Sequence, residues 1–359
     1  MKKALLWFIF VVLLFSGNTV EKTVLEDVQL VSIYGYDFVN KNTIKGIISS
    51  PVIPLVENTP PKSTVFAAKA HTSKNTRQKL QGESPEPLVL GRLEALLFND
   101  KLAKHGIMPV VSTMSQDPSL GRNVHMAIVD GSVQEMLEAK YPVTDTSSQY
   151  IQDLLKHNSK NILPRYTNLH SFVDLYHNVG QDPVLPLLVH TKDRIRVKGI
   201  ALFDGDKYKG FVPYADCFVF KLLYENFNNG MYEFKVNGHF VTIENLASKV
   251  KEEFINDQPS PKMIIKVRIK GKITDAPGLL LTKKQVKNIE DHLTYVLSAK
   301  GKSLVGRFQK MNIDPLGLVV KAGSQDRHLN KEKWEKEYYR TLPVDIKVET
   351  EITQSGTVE

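Results

Sequence analysis

Apolar residues recur along this chain at two periods, and the change from one to the other marks its elements. Residues 28–36 and 43–53 are apolar-rich runs on either side of Val39-Asn40-Lys41-Asn42, which predicts two strands joined as a hairpin. Residues 63–70 form a third candidate strand, before a polar, proline-containing stretch, 72–87, expected to hold a short helix and a loop. From 88 to 105 the apolar positions Leu90, Leu93, Leu97 and Leu102 mix both spacings and end at Gly106, so a strand is expected to run into a helix. Ser115-Gln116-Asp117-Pro118 reads as a turn. Val124, Met126 and Ile128 then alternate as a strand, and residues 132–139 form a helix begun at a serine cap.

Residues 147–176 have helical spacing interrupted at Pro164 and close with Gly180-Gln181-Asp182-Pro183. A domain boundary is placed near 191–197. Beyond it, 198–203 and 208–212 bracket Asp204-Gly205-Asp206-Lys207, a strand-turn-strand unit. Ile265, Val267 and Ile269 alternate with Lys266, Arg268 and Lys270, the signature of a half-buried strand with a basic outer face. Near the end, Leu342, Val344, Ile346, Val348 and Ile352 point inward against Asp345, Lys347, Glu349 and Glu351. Between them lies the longest predicted helix, capped by Thr282 with Gln285 three residues on. It carries the stripe Val286, Ile289, Leu293, Val296, Leu304, Phe308 and Met311 and must stop before Asp314-Pro315. The fold class is therefore α+β and multi-domain, with mixed sheets and packed helices.

The first residues change the picture of where this chain works. Lys2 and Lys3 precede twelve uninterrupted apolar residues, 4–15, followed by Ser16-Gly17-Asn18. That length suits an export signal better than a membrane span, which needs about 20 residues. Residues 1–18 are read as a signal peptide or a retained anchor, because Phe15 and Gly17 make a poor cleavage site; cleavage elsewhere with release is the alternative. The net charge is +8, or +6 without those two lysines. The remaining basic residues are scattered, which fits a solvated surface with weak attraction to anionic headgroups, and no aromatic-arginine pattern points to nucleic acid. The single cysteine, Cys217, sits in the apolar run Cys217-Phe218-Val219-Phe220 and reads as a small buried hydrophobe. One cysteine excludes a disulfide framework and a thiolate zinc site.

Candidate chemistry is sparse. His170, Asp174 and His177 share one side of a helix, a spacing able to hold a metal but one that arises readily on a solvated face, so no metal and no cofactor are assigned. Asp204 and Asp206 lack the twelve-residue calcium loop and its terminal glutamate, and a hairpin tip accounts for both. There is no G-x-S-x-G elbow, no phosphate loop and no reactive-cysteine context, so no catalytic residue is assigned and an enzyme is not expected.

Taken together, several segments resemble the Ger(x)C family, the C subunits of bacterial spore germinant receptors. These are residues 91–107, from Gly91-Arg92-Leu93-Glu94 to Gly106-Ile107; 180–186, Gly180-Gln181-Asp182-Pro183-Val184-Leu185-Pro186; 198–203; and Phe308-Gln309-Lys310 with Asp314-Pro315-Leu316-Gly317, completed by Trp334 and Gly356. The resemblance covers essentially the whole chain, with an N-terminal region at 20–192 and a C-terminal region at 196–358. It implies three mixed α/β domains and a non-enzymatic subunit on the outer face of the spore inner membrane. Two integral-membrane partners are implied, an A-type and a transporter-like B-type subunit. The family's lipidated cysteine falls at Asn18, where thioether lipidation cannot occur, so the apolar segment must stand in for the lipid or this copy is degenerate or altered. Gln309, Asp314, Pro315 and Gly317 match the family pattern and are read first as a structural helix end. A partner-contact loop is the second reading, motivated by an expected polar, exposed character. The alternative to an assembly subunit is an extracytoplasmic protein that itself binds a small ligand or a metal.

Overall fold

The computed structural model describes residues 27–52, 62–142, 146–257 and 260–354. The leader with Asn18, and Gly356, lie outside them. The N-terminal hairpin forms as the pattern requires: β2 (Ile33–Asn40) and β3 (Thr43–Val52) pair antiparallel, and Asn42 N donates to Asn40 Oδ1 at 3.0 Å across the turn. β4 (Lys62–Ala70) adds to β3. α1 (Ser73–Glu83) begins at Thr72, whose side chain accepts from Asn75 N, as expected for a threonine cap. A short β1 (Gln29–Leu30) pairs with β5 (Leu88–Val89), beside the main sheet.

β6 (Ala95–Asn99) then runs directly into α2 (Asp100–His105), with Asn99 as the cap, and after Gly106 the chain turns into α3 (Met108–Ser115), which the sequence reading leaves unassigned. Pro109 sits in its first turn, where a missing N–H costs nothing. β7 (His125–Val129) leads to α4 (Val133–Glu138), whose first amides, of Val133 and Gln134, donate to the buried Asp37 carboxylate of β2. α5 (Ser147–Asn161) and α6 (Leu169–His177) flank Pro164. β8 (Val184–Thr191), β9 (Arg194–Asp204) and β10 (Lys207–Pro213) complete an eight-stranded sheet in the order β10-β9-β8-β7-β6-β2-β3-β4.

The strands β2, β6, β7 and β8 are mutually parallel and buried on both faces, so neighbouring residues serve opposite cores. Leu96 and Phe98 face one cluster with Tyr34, Met126 and Ile128; Ala95 and Leu97 face another with Ile33, Ala127 and Val129.

The chain leaves this sheet through α7 (Tyr214–Tyr224), an apolar helix that buries Cys217, Phe218 and Phe220. A four-stranded sheet follows, β11 (Met231–Val236), β12 (His239–Ile255), β13 (Lys262–Asp275) and β14 (Val344–Gln354), neighbours in that order. β13 and β14 are parallel because helices carry the chain between them: α8 (Lys283–Met311), α9 (Leu318–Gln325) and α10 (Lys331–Glu337). α8 starts where predicted, Thr282 Oγ1 accepting from Gln285 N, and ends at Asn312 in the left-handed region, φ 55°. Its stripe of Ile289, Leu293, Leu304 and Phe308 is buried against the sheet, together with Ile243, Ile265 and Val267.

The sequence reading places a boundary near 191–197. In the structure Thr191 pairs with Arg194 to close a hairpin, and β8, β9 and β10 are neighbours in one sheet. One apolar cluster also runs without a break from Leu97 and Val129 of the first sheet through Phe218 and Phe220 of α7 to Ile265 and Leu293 of the second.

Candidate functional site

The most densely built polar feature lies where the two sheets meet, and it begins with a repeated dipeptide. Asp182-Pro183 precedes β8, and Asp314-Pro315 separates α8 from α9. Proline holds the preceding residue extended, which keeps each aspartate out of a helix and frees its carboxylate to accept main-chain N–H groups. Asp182 Oδ1 accepts from Gly205 N at 3.0 Å and Oδ2 from Asp314 N at 2.7 Å. Asp182 N in turn donates to Asp314 O at 3.0 Å, and Gln181 Nε2 donates to Pro315 O at 3.3 Å. Asp314 Oδ2 accepts from Val319 N at 2.9 Å in the first turn of α9.

The hairpin tip between β9 and β10 is held from its other side as well. Asp206 Oδ2 accepts from Met108 N at 2.9 Å, and its carbonyl accepts from Ile107 N at 3.2 Å. Gly106, φ 109°, lets this approach happen, because a Cβ there would stand 2.7 Å from Asp206 Oδ2. Gly317, φ 66°, does the same beside Gln181, where a Cβ would come within 2.8 Å. Further along, Gln309 Nε2 donates to the carbonyls of Tyr339 and Leu342 at 2.9 and 2.8 Å, and Tyr339 Oη donates to Ile313 O at 2.6 Å. The arrangement is a clasp, joining the α2–α3 corner, the lead into β8, the β9–β10 tip and the α8–α9 corner.

Burial sets its electrostatics. Asp314 is 2% exposed, and loss of water pushes its carboxyl up to about 7; the α9 amides of Val319 and Leu318 oppose the shift and the Asp182 charge adds to it. Asp182 is also raised by burial, against its two backbone hydrogen bonds. Asp314 Oδ1 is buried without a hydrogen-bond partner among the described residues. A protonated Oδ1 places a neutral O–H there instead of a bare charge, which is the cheaper state in so dry a place. The chemistry available is therefore proton uptake and main-chain binding within the protein. Among the described residues no nucleophile with an activating base stands beside it.

The loop read as polar and exposed is thus buried: residues 313–319 are all inaccessible or nearly so. Asp314, Pro315 and Gly317 lie in the clasp, while Gln309 reaches the carbonyls of Tyr339 and Leu342; all of them meet this chain's own segments. The sequence reading weighs Asp206 only as a calcium ligand or a hairpin-tip residue and Asp182 only as part of a family segment, so neither is given this role. The signal that could have found Asp182 was the duplicated Asp-Pro with a glycine two residues away in each case. His170, Asp174 and His177 lie on the exposed side of α6, and the Asp174 carboxylate accepts from Asn178 Nδ2 at 3.0 Å. Among the described residues no three His, Cys, Asp or Glu side chains are grouped to hold a metal. Asp204 pairs with Lys209 at 3.0 Å on the hairpin. Cys217 is fully buried, and desolvation raises its thiol to about 12, as for an inert core residue.

Residues 21–190 match the spore germination protein N-terminal domain, and residues 198–356 match the C-terminal domain described as spore germination B3/GerAC like. The chain belongs to the Ger(x)C family of spore germination proteins. It is 27% identical to spore germination protein GerQC of Bacillus cereus over 359 residues, which span 98% of this chain and 99% of that one. Its fold resembles the crystal structure of the GerBC protein, with a TM-score of 0.64 and 16% identity over 89% of this chain and 97% of that one. Gly106 and Ile107, Gln181 and Asp182, and residues 314–317, all within segments that carry the resemblance, meet at the clasp.

Proposed function

We propose that this germinant receptor C subunit is a non-enzymatic, extracytoplasmic component, needed for assembly or signalling in nutrient-triggered spore germination. In this reading it sits on the outer face of the spore inner membrane with an A-type and a transporter-like B-type integral-membrane subunit. The observation that supports it is the clasp, where Asp182, Asp206 and Asp314 are spent on main-chain hydrogen bonds that tie separate segments of this chain together. A subunit that works through contacts needs a stiff frame, since each side chain ordered only on binding costs roughly 0.5–1.5 kcal/mol of affinity.

Attachment is assigned to the apolar segment 4–15. Among the described residues no helix is long and apolar enough to cross a membrane, and Asn18 offers no sulfur for a lipid. A lipid chain contributes about 0.8 kcal/mol per buried CH₂, so a retained peptide has to replace a large contribution. The test is to isolate inner membranes from spores carrying the tagged chain, solubilise them, and identify co-purifying subunits and the mature N-terminus by mass spectrometry. Recovery with both membrane subunits and an intact leader is expected. A soluble chain free of both subunits, with an Asn18→Cys variant alone at the membrane, overturns the reading for this copy.

A further inference from the structure

One end of the second sheet carries an apolar tip that the fold holds in place and leaves exposed. The turn Asn237-Gly238 closes β11 onto β12 there, with Val236 paired to His239, and β13 ends beside it at Asp275, opposite Thr242. Residues 276–282 then cross to α8 as Ala276-Pro277-Gly278-Leu279-Leu280-Leu281-Thr282. Gly278, φ 76°, lays this loop on the hairpin, since a Cβ there would stand 3.4 Å from the His239 ring. Leu279 N donates to Ala276 O at 3.1 Å, and Thr282 N donates to Leu280 O at 2.9 Å. Leu279 and Leu281 pack against the core of the sheet, and Leu280 between them is turned out, 68% exposed. Phe240, 52% exposed, lies two residues from the same turn.

A lone exposed leucine is ordinary on a protein surface, so the residues around it decide its meaning. Residues 234–243 and 276–289, which meet at this end, contain Lys235, Lys283, Lys284 and Lys287 and no carboxylate. Lys287 pairs with Glu290 and Asp291 of its own helix, whereas Lys235, Lys283 and Lys284 form no ion pair among the described residues. The flanking carboxylates are Glu233, Glu244 and Asp275, of which Glu244 is held by Lys272. Lys283 and Lys284 occupy the first turn of α8, where cations oppose the helix dipole, so helix formation does not account for them. Lys235 Nζ lies 5.5 Å from the centre of the Phe240 ring, a charge held next to an exposed apolar group. An apolar tip inside a collar of unpaired lysines is complementary to anionic headgroups above acyl chains. A protein groove would need a carboxylate at each of these points, whereas a headgroup layer supplies charge wherever the lysines fall.

We propose that this tip is a second membrane contact, in which Leu280, with Phe240 beside it, enters the headgroup boundary of an anionic bilayer while Lys235, Lys283 and Lys284 meet its phosphate groups. This rests on the membrane reading above and adds to it which end of the chain faces the lipid. A short apolar anchor by itself leaves a tethered protein free to tilt, and a weak second contact fixes its orientation. Lipid-anchored proteins follow the same logic, since one acyl chain holds only marginally and a basic patch makes up the difference. The tip is ordered before it binds, so little conformational freedom is lost on contact.

The experiment uses the full chain with its leader, reconstituted into vesicles of equal parts phosphatidylglycerol and phosphatidylcholine or of phosphatidylcholine alone. Leu280→Cys places an environment-sensitive dye at the tip, Lys41→Cys places it at the exposed β2–β3 turn, and the buried Cys217 takes none. On anionic vesicles the dye at Leu280→Cys is expected to brighten at least about threefold, as for a group leaving water for the acyl boundary, and the dye at Lys41→Cys to stay unchanged. Adding Lys283→Glu and Lys284→Glu should lower the ratio of inserted to free dye about twentyfold, since each lysine near an anionic surface contributes roughly fivefold. Those glutamates suit the first turn of α8, so a loss of insertion is not a loss of folding. Three results overturn the proposal: no response at Leu280→Cys, an equal response at Lys41→Cys, or insertion that neither neutral lipid nor the two glutamates weaken. Shielding of the Leu280→Cys dye only in membranes that carry the integral subunits would make the tip a protein interface and overturn it as well. Sedimentation of the chain with the vesicles reports on the leader, so failure of the anchor reading is seen separately.

Discussion

Single residues at the clasp are where the chemistry of this protein is concentrated, and Asp314 sets its sensitivity to pH. A carboxyl raised to about 7 in the folded chain, against about 3.9 when unfolded, means the native state holds a proton that the unfolded state has released. Stability from this group is therefore fully present below about pH 4, is lost progressively between about pH 4 and pH 7, and is gone above it; from pH 5 to pH 8 the loss is on the order of 2–3 kcal/mol. Asp182, raised by burial as well, acts in the same sense. Urea titrations at pH 5 and pH 8 should show that loss in the native chain and a flatter dependence in Asp314→Asn, whose amide keeps the acceptor for Val319 N. An unchanged slope in the variant would remove Asp314 as the source. Gly317→Ala tests the close approach, since a Cβ at φ 66° would also press on Gln181. A loss of about 1–3 kcal/mol in urea is expected, with the far-ultraviolet spectrum unchanged.

Elements obey their own patterning, and one of them breaks a rule on its open face. β13 sets Lys266 directly opposite Lys251 of β12 and Lys347 of β14, three lysines in one row across the second sheet. Glu253 pairs with Lys266, while Lys251 and Lys347 form no ion pair among the described residues. Like charges directly opposite one another destabilise a ladder, so Lys251→Glu should raise stability by about 0.5 kcal/mol at low salt. The gain should shrink at about 1 M salt, where the screening length is about 3 Å. A destabilised variant would mean the row is held by something other than simple repulsion. The alternation of β13 and β14 was plain in the sequence because each has one buried and one wet face. By contrast α3 and α9 are only eight residues each, too short for a period to stand out. β11 and β12 lie outside the predicted elements although their inward positions Tyr232, Phe234, Val241 and Ile243 alternate and Asn237-Gly238, both at positive φ, form the turn between them.

At the scale of the whole molecule, the clasp and one shared apolar cluster link the two family regions. Asp182→Ala removes the acceptor for both Gly205 N and Asp314 N, leaving two buried donors unmet at a cost of about 1–3 kcal/mol each. Hydrogen exchange should then accelerate at residues 204–206 and 313–319, while the amides of β6 and β7, sealed on both faces, keep their protection. Uniform acceleration across the chain would show the clasp to be no separate unit. In spores, the same variant is expected to lower recovery of the membrane subunits with this chain if a rigid frame is what assembly needs.

What the sequence alone determined is everything governed by neighbours along the chain. The hairpin at residues 33–52, the capped helix from Thr282 to Asn312, the buried thiol of Cys217 and the alternating strands all follow from spacing and capping, which act over one or two turns. The α+β class followed from those elements, and the family segments were recognisable by their order. Tertiary structure decided where those segments go. Asp182 and Asp314 stand 132 positions apart, and no local rule says that their carboxylates and amides meet. Nor could spacing reveal that residues 313–319 are sealed from water, because a polar loop looks the same on paper whether solvent or another segment satisfies it.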